Sequence, residues 1–299
     1  MNVLVLAGGS SSEREVSLRS GANIEQSLRG LGHMVVTADP SGPDFNLKQL
    51  IAGIDAVFPI LHGAGGEDGV LQEELEKLDV PFLGSGSKSS KLAFDKFAHK
   101  KLLVEKGILT PGWEMVDDRS FSGSQLARQP YVLKPFDGGS SVDTFIVRDP
   151  TNPPSGINRA LEGHGKMLIE ELIEGNELTV GVLGDESLPA ILIVPPEGEE
   201  FDYENKYNGK TKEIVNPDTV STNLQQQAQA LALRVHQITG CRHFSRTDFM
   251  LSQSNQVYVL EINTIPGMTS ESLFPKAAAA AGHDMNALTK KLLELTLAS

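Results

Sequence analysis

Cysteine is almost absent. Cys241 is the only one in 299 residues, so no internal disulfide can form, and a reducing cytoplasm is the compartment this usage suits. Lying between a helical segment and a strand, Cys241 reads as a small packing residue rather than a nucleophile. Long apolar runs are absent too: no stretch approaches the ~18 to 20 residues of a membrane span. The N-terminal run Val3 to Ala7, with no basic residue before it, is too short for a secretory signal. Cations are in deficit, with 26 Lys plus Arg against 39 Asp plus Glu for a net charge of −13, which argues against nucleic acid or an anionic membrane as a partner. Two nucleotide signatures are missing as well, the dinucleotide fingerprint G-x-G-x-x-G and the Walker A loop.

What is present is an ordinary globular composition, 39% apolar and 22% charged, in a chain long enough for two or three units of ~100 to 150 residues. The apolar run over residues 2–7 ends in Gly8-Gly9, as a buried parallel strand does where a functional loop opens. Helical spacing from Glu15 to Leu31, a strand over His33 to Ala38 and another over Ala56 to Leu61 predict an open, doubly wound α/β unit over 1–90. A basic amphipathic helix from Lys91 to Lys106 opens a second, α+β unit over 91–175, with strands at 113–116, 131–135, 141–147 and 167–173 and a helix near Ile157 to Gly163. A third unit, 176–299, holds strands at 178–183 and 190–194, a helix from Leu224 to Thr239 and helices from Ser270 onward. Residues 196–223 are polar and weakly periodic, as an active-site lid is.

The richest chemistry lies near the C-terminal end. In Ser245-Arg246-Thr247-Asp248 and Leu260-Glu261-Ile262-Asn263, strand alternation puts Arg246 with Asp248 and Glu261 with Asn263 on polar faces. Two carboxylates and an amide oxygen are hard ligands that suit magnesium serving a phosphate compound. Asp137-Gly138-Gly139-Ser140-Ser141, just after Lys134, offers backbone N–H groups, hydroxyls and a point charge to phosphate, although alone it reads sooner as a tight turn. Glu13 is either a helix-dipole residue or an anchor for a substrate ammonium. His62 sits where a strand meets a Gly-rich loop, and Glu67 and Asp68 read as charges at the start of a helix. Lys206 and Tyr207 lie within the lid segment.

Taken in order, GGSSSEREVSLRSG, LHGAGGEDGVLQ, GSGSKSSKLAFDK, VLKPFDGGSSV, LIEELIEGNELTVGVLG, YENKY, SRTDFML and LEINTIPGMTSESLFP resemble the D-alanine–D-alanine ligases of the ATP-grasp superfamily, across nearly the whole chain. The resemblance implies an ATP-grasp fold behind a Rossmann-like N-terminal domain. It also implies ATP-dependent joining of two D-alanines through an acyl phosphate, for peptidoglycan, in a cytoplasmic homodimer. By that resemblance Lys96, Lys134 and Lys206 hold nucleotide phosphates, Glu170 and Ile173 border the adenine, and Glu177 binds the ribose. Asp248, Glu261 and Asn263 match the ligands of two magnesium ions, with manganese an alternative metal. Glu13 matches the anchor of the first D-alanine's ammonium, with His62 beside it, and Ser272 and Leu273 match the pair holding the second substrate's carboxylate. Arg246 and the N–H of Gly267 match the oxyanion donors, and Ser140 and Tyr207 match the partners of Glu13 in a hydrogen-bonded triad, Ser140 also within the ATP loop. Tyr207 favours an amine over a hydroxy acid as second substrate, so a D-alanine–D-lactate or D-serine ligase is the rival within enzymes and a silent nucleotide-binding regulator the remote one. Asp143 departs from the family pattern, which usually has glycine there, and puts a carboxylate beside the phosphate loop.

Overall fold

The computed structural model describes residues 1–139, 142–196 and 210–299, and forms three sheets with helices between them. The first sheet is parallel, in the order β2-β1-β3, from β1 (Asn2–Ala7), β2 (Met34–Ala38) and β3 (Ala56–Ile60). β1 is apolar without alternation because both of its faces are covered. Val3 and Val5 pack with Ile24 and Leu28 of α1 (Arg14–Gly30), and Leu4 and Leu6 with Leu47 of α2 (Leu47–Leu50) and Leu71 and Leu75 of α3 (Val70–Lys77).

The basic helix expected from Lys91 to Lys106 is instead two helices, α4 (Ser87–Phe94) and α5 (Lys96–Glu105). Asp95 breaks it with an extended backbone, φ −80° and ψ 93°, and its carboxylate accepts from the N–H of Ala98 at 2.9 Å, an N-cap for the second helix. Ala93 and Leu103 pack with Leu178, Val180 and Phe249 of the third sheet.

The second sheet is antiparallel, β4-β7-β5-β6, from β4 (Trp113–Val116), β5 (Tyr131–Lys134), β6 (Phe145–Val147) and β7 (Met167–Glu171). Ile157 and Leu161 of α6 (Ile157–His164) cover it against Tyr131, Leu133 and Ile169. β6 is shorter than the strand expected over 141–147. Asp143 takes a left-handed φ of +52° and turns the chain just before Phe145.

The third sheet runs β11-β10-β8-β12-β13, with β9 added on β8, from β8 (Gly175–Leu183), β9 (Glu186–Ser187), β10 (Ile191–Val194), β11 (Lys212–Val215), β12 (Phe244–Ser252) and β13 (Val257–Asn263). β11 falls inside the stretch expected as irregular lid. Its ladder runs from Ile191 opposite Val215 to Val194 opposite Lys212, and four residues exposed on one face were too few to show a period. α7 (Thr222–Thr239) covers one face of the sheet through Ala228, Ala232 and Val235. On the other face lie α8 (Leu273–Ala280) and α9 (Met285–Leu297), whose Phe274, Leu288 and Leu292 share a core with Val3, Phe58 and Ile60 of the first sheet. The C-terminal helices thus return to the N-terminal unit, and the loop after β13 meets α1, where the Met268 N–H donates to Ser20 Oγ at 3.1 Å, and His62 just after β3.

Candidate active site

The register of β12 and β13 sets the polar face. Arg246 stands opposite Asn263 and Asp248 opposite Glu261, and Leu260 is the extra residue where the ladder shifts before Phe249 pairs with Val259. Arg246 donates to both oxygens of Asp248, Nε at 2.8 Å and Nη2 at 2.7 Å, and Thr179 of β8 donates to Asp248 Oδ1 at 2.6 Å. Burial opposes the Arg246 charge, but the facing carboxylates, Asp248 first, hold its pKa above the ordinary value. The Oδ1 of Asn263 is buried and has no hydrogen-bond partner among the described residues.

On one side of this face lies a cavity of about 450 Å³ between the second and third sheets. Lys96, Lys134, Gly138, Gly139, Glu170, Ile173, Glu177, Asp248 and Glu261 all line it. Lys134 on β5 reaches diagonally to Glu170 on β7, Nζ to Oε2 at 2.9 Å, and Lys100 meets the other oxygen, also at 2.9 Å. Burial alone would raise the Glu170 pKa, yet the two lysines bring it below the ordinary range. Burial wins at Lys100, whose pKa is lowered despite Glu170. Lys96 is the first residue of α5, and the break at Asp95 aims it into the site. Its ammonium donates to the Gly138 carbonyl and lies 3.4 Å from Glu261 Oε2.

On the other side is a cavity of about 300 Å³ lined by Glu13, His62, Glu67, Arg246, Asn263, Gly267, Ser272 and Leu273. Glu13 precedes α1 but makes no side-chain cap. Instead, a β-carbon on Gly63 would lie 2.9 Å from its carboxylate, and one on Gly139 would lie 2.7 Å from it. Only glycine lets the His62 loop and the Gly138-Gly139 loop close on Glu13 this tightly. Buried His62 is held by the Ile265 carbonyl at 3.0 Å from Nδ1, and burial lowers its pKa, leaving a neutral ring. Gly267 and Ser272 are neighbours: a β-carbon on Gly267 would lie 2.7 Å from the Ser272 hydroxyl, which also contacts Thr269 Oγ1 at 2.8 Å.

The structure therefore brings Glu13, His62, Arg246, Gly267, Ser272 and Leu273 together around one cavity, and Lys96, Lys134, Glu170, Ile173, Glu177, Asp248 and Glu261 around the other. Ser140, Lys206 and Tyr207 lie outside the described residues. One charged residue went unread in the sequence and another was given the wrong role. Lys100, one helical turn after Lys96, is buried, and its spacing was the available signal. Glu67 is no helix-start charge: its carboxylate accepts from the Gly63 N–H at 2.7 Å, and burial holds its pKa up to about 8. Asp68 does stand at the start of α3, just before its N-cap Gly69, and accepts from the Val70 N–H at 3.0 Å. Asp143 turns its carboxylate onto His164, at 2.7 Å from Nε2. Burial pushes the Cys241 thiol up to about 12, in keeping with an inert packing residue.

Residues 102–294 match the family model described as D-ala D-ala ligase C-terminus, and residues 37–85 the one described as D-ala D-ala ligase N-terminus. The D-alanine–D-alanine ligase of Nitratidesulfovibrio vulgaris (strain DP4) is 40% identical over 296 residues, covering 99% of this chain and 98% of the relative. That of Actinobacillus succinogenes is 41% identical over 302 residues, with 99% and 97% covered. The crystal structure of the D-alanine–D-alanine ligase from Bacillus anthracis complexed with ATP superposes with a TM-score of 0.86 at 31% identity, over 100% of this chain and 98% of that one. For the ligase from Coxiella burnetii the TM-score is 0.82 at 25% identity, with 100% and 94% covered.

Proposed function

This chain belongs to the D-alanine–D-alanine ligase family, and from that premise we propose that it joins two D-alanine molecules at the expense of ATP, supplying the dipeptide for peptidoglycan. The observation that carries the reading is the common wall of the two cavities: Lys96, Gly138, Gly139 and Glu261 line both. A phosphoryl group handed from a nucleotide in the larger cavity to a carboxylate in the smaller one crosses at these residues.

In the first step the carboxylate of one D-alanine attacks the γ-phosphorus of ATP, giving an acyl phosphate and ADP. Both reactants are anionic, so Lys96 and Lys134 oppose their repulsion and stabilise the charge that spreads over the transferred group. Glu13, close against Gly63 and Gly139, anchors the ammonium of that D-alanine, and His62 fixes the surrounding loop. In the second step the free amine of another D-alanine attacks the acyl carbon and phosphate leaves. The oxyanion of the tetrahedral intermediate falls to the Arg246 guanidinium and the Gly267 N–H, while Ser272 and Leu273 hold the second carboxylate. By family resemblance Ser140 and Tyr207 complete a triad with Glu13, and Lys206 meets the γ-phosphate.

The residues fit magnesium. Asp248 and Glu261 face each other across β12 and β13, and buried Asn263 Oδ1 is an oxygen donor with no hydrogen-bond partner among the described residues. When bound there, two Mg²⁺ ions, or Mn²⁺ in their place, would offset the phosphate charge. The compartment we assign is the cytoplasm and the assembly a homodimer; among the described residues no helix is long and apolar enough to cross a membrane.

The test is coupled ADP release with ATP, Mg²⁺ and D-alanine, the product weighed by mass spectrometry, with D-lactate and D-serine run as second substrates. D-Alanine-dependent ADP release with one dipeptide formed per ADP is expected. Its absence, or faster turnover with D-lactate at neutral pH, overturns the reading.

A further inference from the structure

β11 is the outermost strand of the third sheet among the described residues, held by β10 on one side only. Alternation splits its side chains. Lys212 and Ile214 are exposed, whereas Glu213 and Val215 are half-buried and face α8. Val215 packs beside Leu273 against the core under that helix. One alternation away stands Glu213, and Lys276 of α8 reaches across to it, Nζ to Oε2 at 2.8 Å. Lys276 also lies 3.3 Å from Glu271, but that carboxylate side chain is 84% exposed against 16% for Glu213, so solvent screens the second contact far more than the first.

Both partners line the smaller cavity, as do Ser272 and Leu273. Lys276 is one turn after Ser272 on the same helix face, its N–H donating to the Ser272 carbonyl at 3.2 Å. The pair therefore spans from an edge strand to the first turn of α8, where the second amino acid is taken to dock. Without Lys276, the half-buried Glu213 would present an unpaired carboxylate to a subsite that receives a carboxylate.

We propose that the Lys276–Glu213 ion pair is a strut that fixes β11 against α8 and so shapes the subsite for the second, attacking amino acid. Lys276 is a positioning residue that selects for the acceptor and leaves nucleotide and donor binding alone. This inference rests on the ligase reading for its consequence in kinetics, and on the ion pair alone for its consequence in structure.

The experiment compares K276M, E213Q and the swap E213K/K276E with wild type. Initial rates of ADP release over a D-alanine series, fitted with separate donor and acceptor terms at saturating ATP, give both amino-acid constants, and an ATP series gives the third. Hydrogen–deuterium exchange of the 212–215 amides is measured alongside. Both single variants are expected to raise the acceptor KM about fivefold, the value of a partly buried pair, with the donor and ATP constants within about twofold. β11 exchange speeds up in both, and the swap recovers most of each effect. An acceptor KM unchanged or lowered in E213Q overturns the strut, since charge at the subsite alone would account for that. So does a rise in all three constants together, or β11 exchange equal to wild type. If wild type releases no ADP with D-alanine, the ligase reading falls while the exchange data still decide the strut.

Discussion

Replacing Lys100 by methionine keeps the length and apolar contact of the side chain and removes its charge, together with its hydrogen bond to Thr110 Oγ1 at 2.6 Å. Lys100 and Glu170 are 1% and 3% exposed as side chains, with 2.9 Å between Nζ and Oε1. Removing one partner of such a pair costs about 3–5 kcal/mol when the other charge is left uncompensated. Here Lys134 stays 2.9 Å from the second oxygen of Glu170, and the desolvation cost carried by Lys100 itself is relieved. The expected loss is therefore about 2 kcal/mol, or roughly 5 °C in Tm for a chain of this size. In K100M/E170Q the buried carboxylate is gone as well, and stability should return to within about 1 kcal/mol of wild type. Urea and thermal denaturation of the three proteins at pH 7 measure this. Sign follows from linkage: two lysines hold the Glu170 pKa low, so its stabilising contribution is present above the ordinary carboxylate pKa and is lost as pH falls below it. With one lysine removed that pKa rises, and the deficit of K100M should narrow toward acid pH. A K100M protein as stable as wild type at neutral pH, or a double variant no better than the single one, would refute the reasoning.

Arg246→Ala should retain ATP binding by calorimetry while ligation falls about 10² to 10³-fold, the usual loss of an oxyanion donor; a normal rate of ligation would show the oxyanion assignment to be wrong. Glu67 has its pKa raised from 4.5 to about 8, so the stability gained from its bound proton is lost as pH rises through that window. The Tm of wild type should accordingly fall relative to E67Q between those limits, and parallel pH profiles would sink the assignment. Asp143→Gly suits the left-handed φ of +52° and should leave KM for ATP within about twofold. His164→Ala, which strips the Asp143 carboxylate of its partner beside the phosphate loop, should raise it severalfold. Steady-state ATP titration compares the two, and the reverse order counts against the pairing.

Strand alternation alone placed Arg246 with Asp248 and Glu261 with Asn263, because a period of two is a property of the backbone and needs no partner to be read. The apolar run of β1 was legible for the same kind of reason: continuous burial on both faces leaves a continuous apolar string. The helix expected through Asp95 failed because the apolar period carries across a break that one N-cap enforces, and Asp95 itself was the local signal. The resemblance to a family named the roles, motif by motif.

The tertiary structure decided what the charged residues do to one another. Local sequence leaves Glu13 as either a helix-start charge or a substrate anchor, and only the fold shows the loops at Gly63 and Gly139 closing on its carboxylate. Lys100 with Glu170, and Lys276 with Glu213, join residues on separate elements, so no local period or spacing encodes the pairing, even where spacing points to one partner. Their protonation and strength depend on how much water the packing removes, which is fixed only when all three sheets are in place. By itself the sequence determined which faces carry oxygen and charge. Packing determined which of those charges are buried, and with which partner.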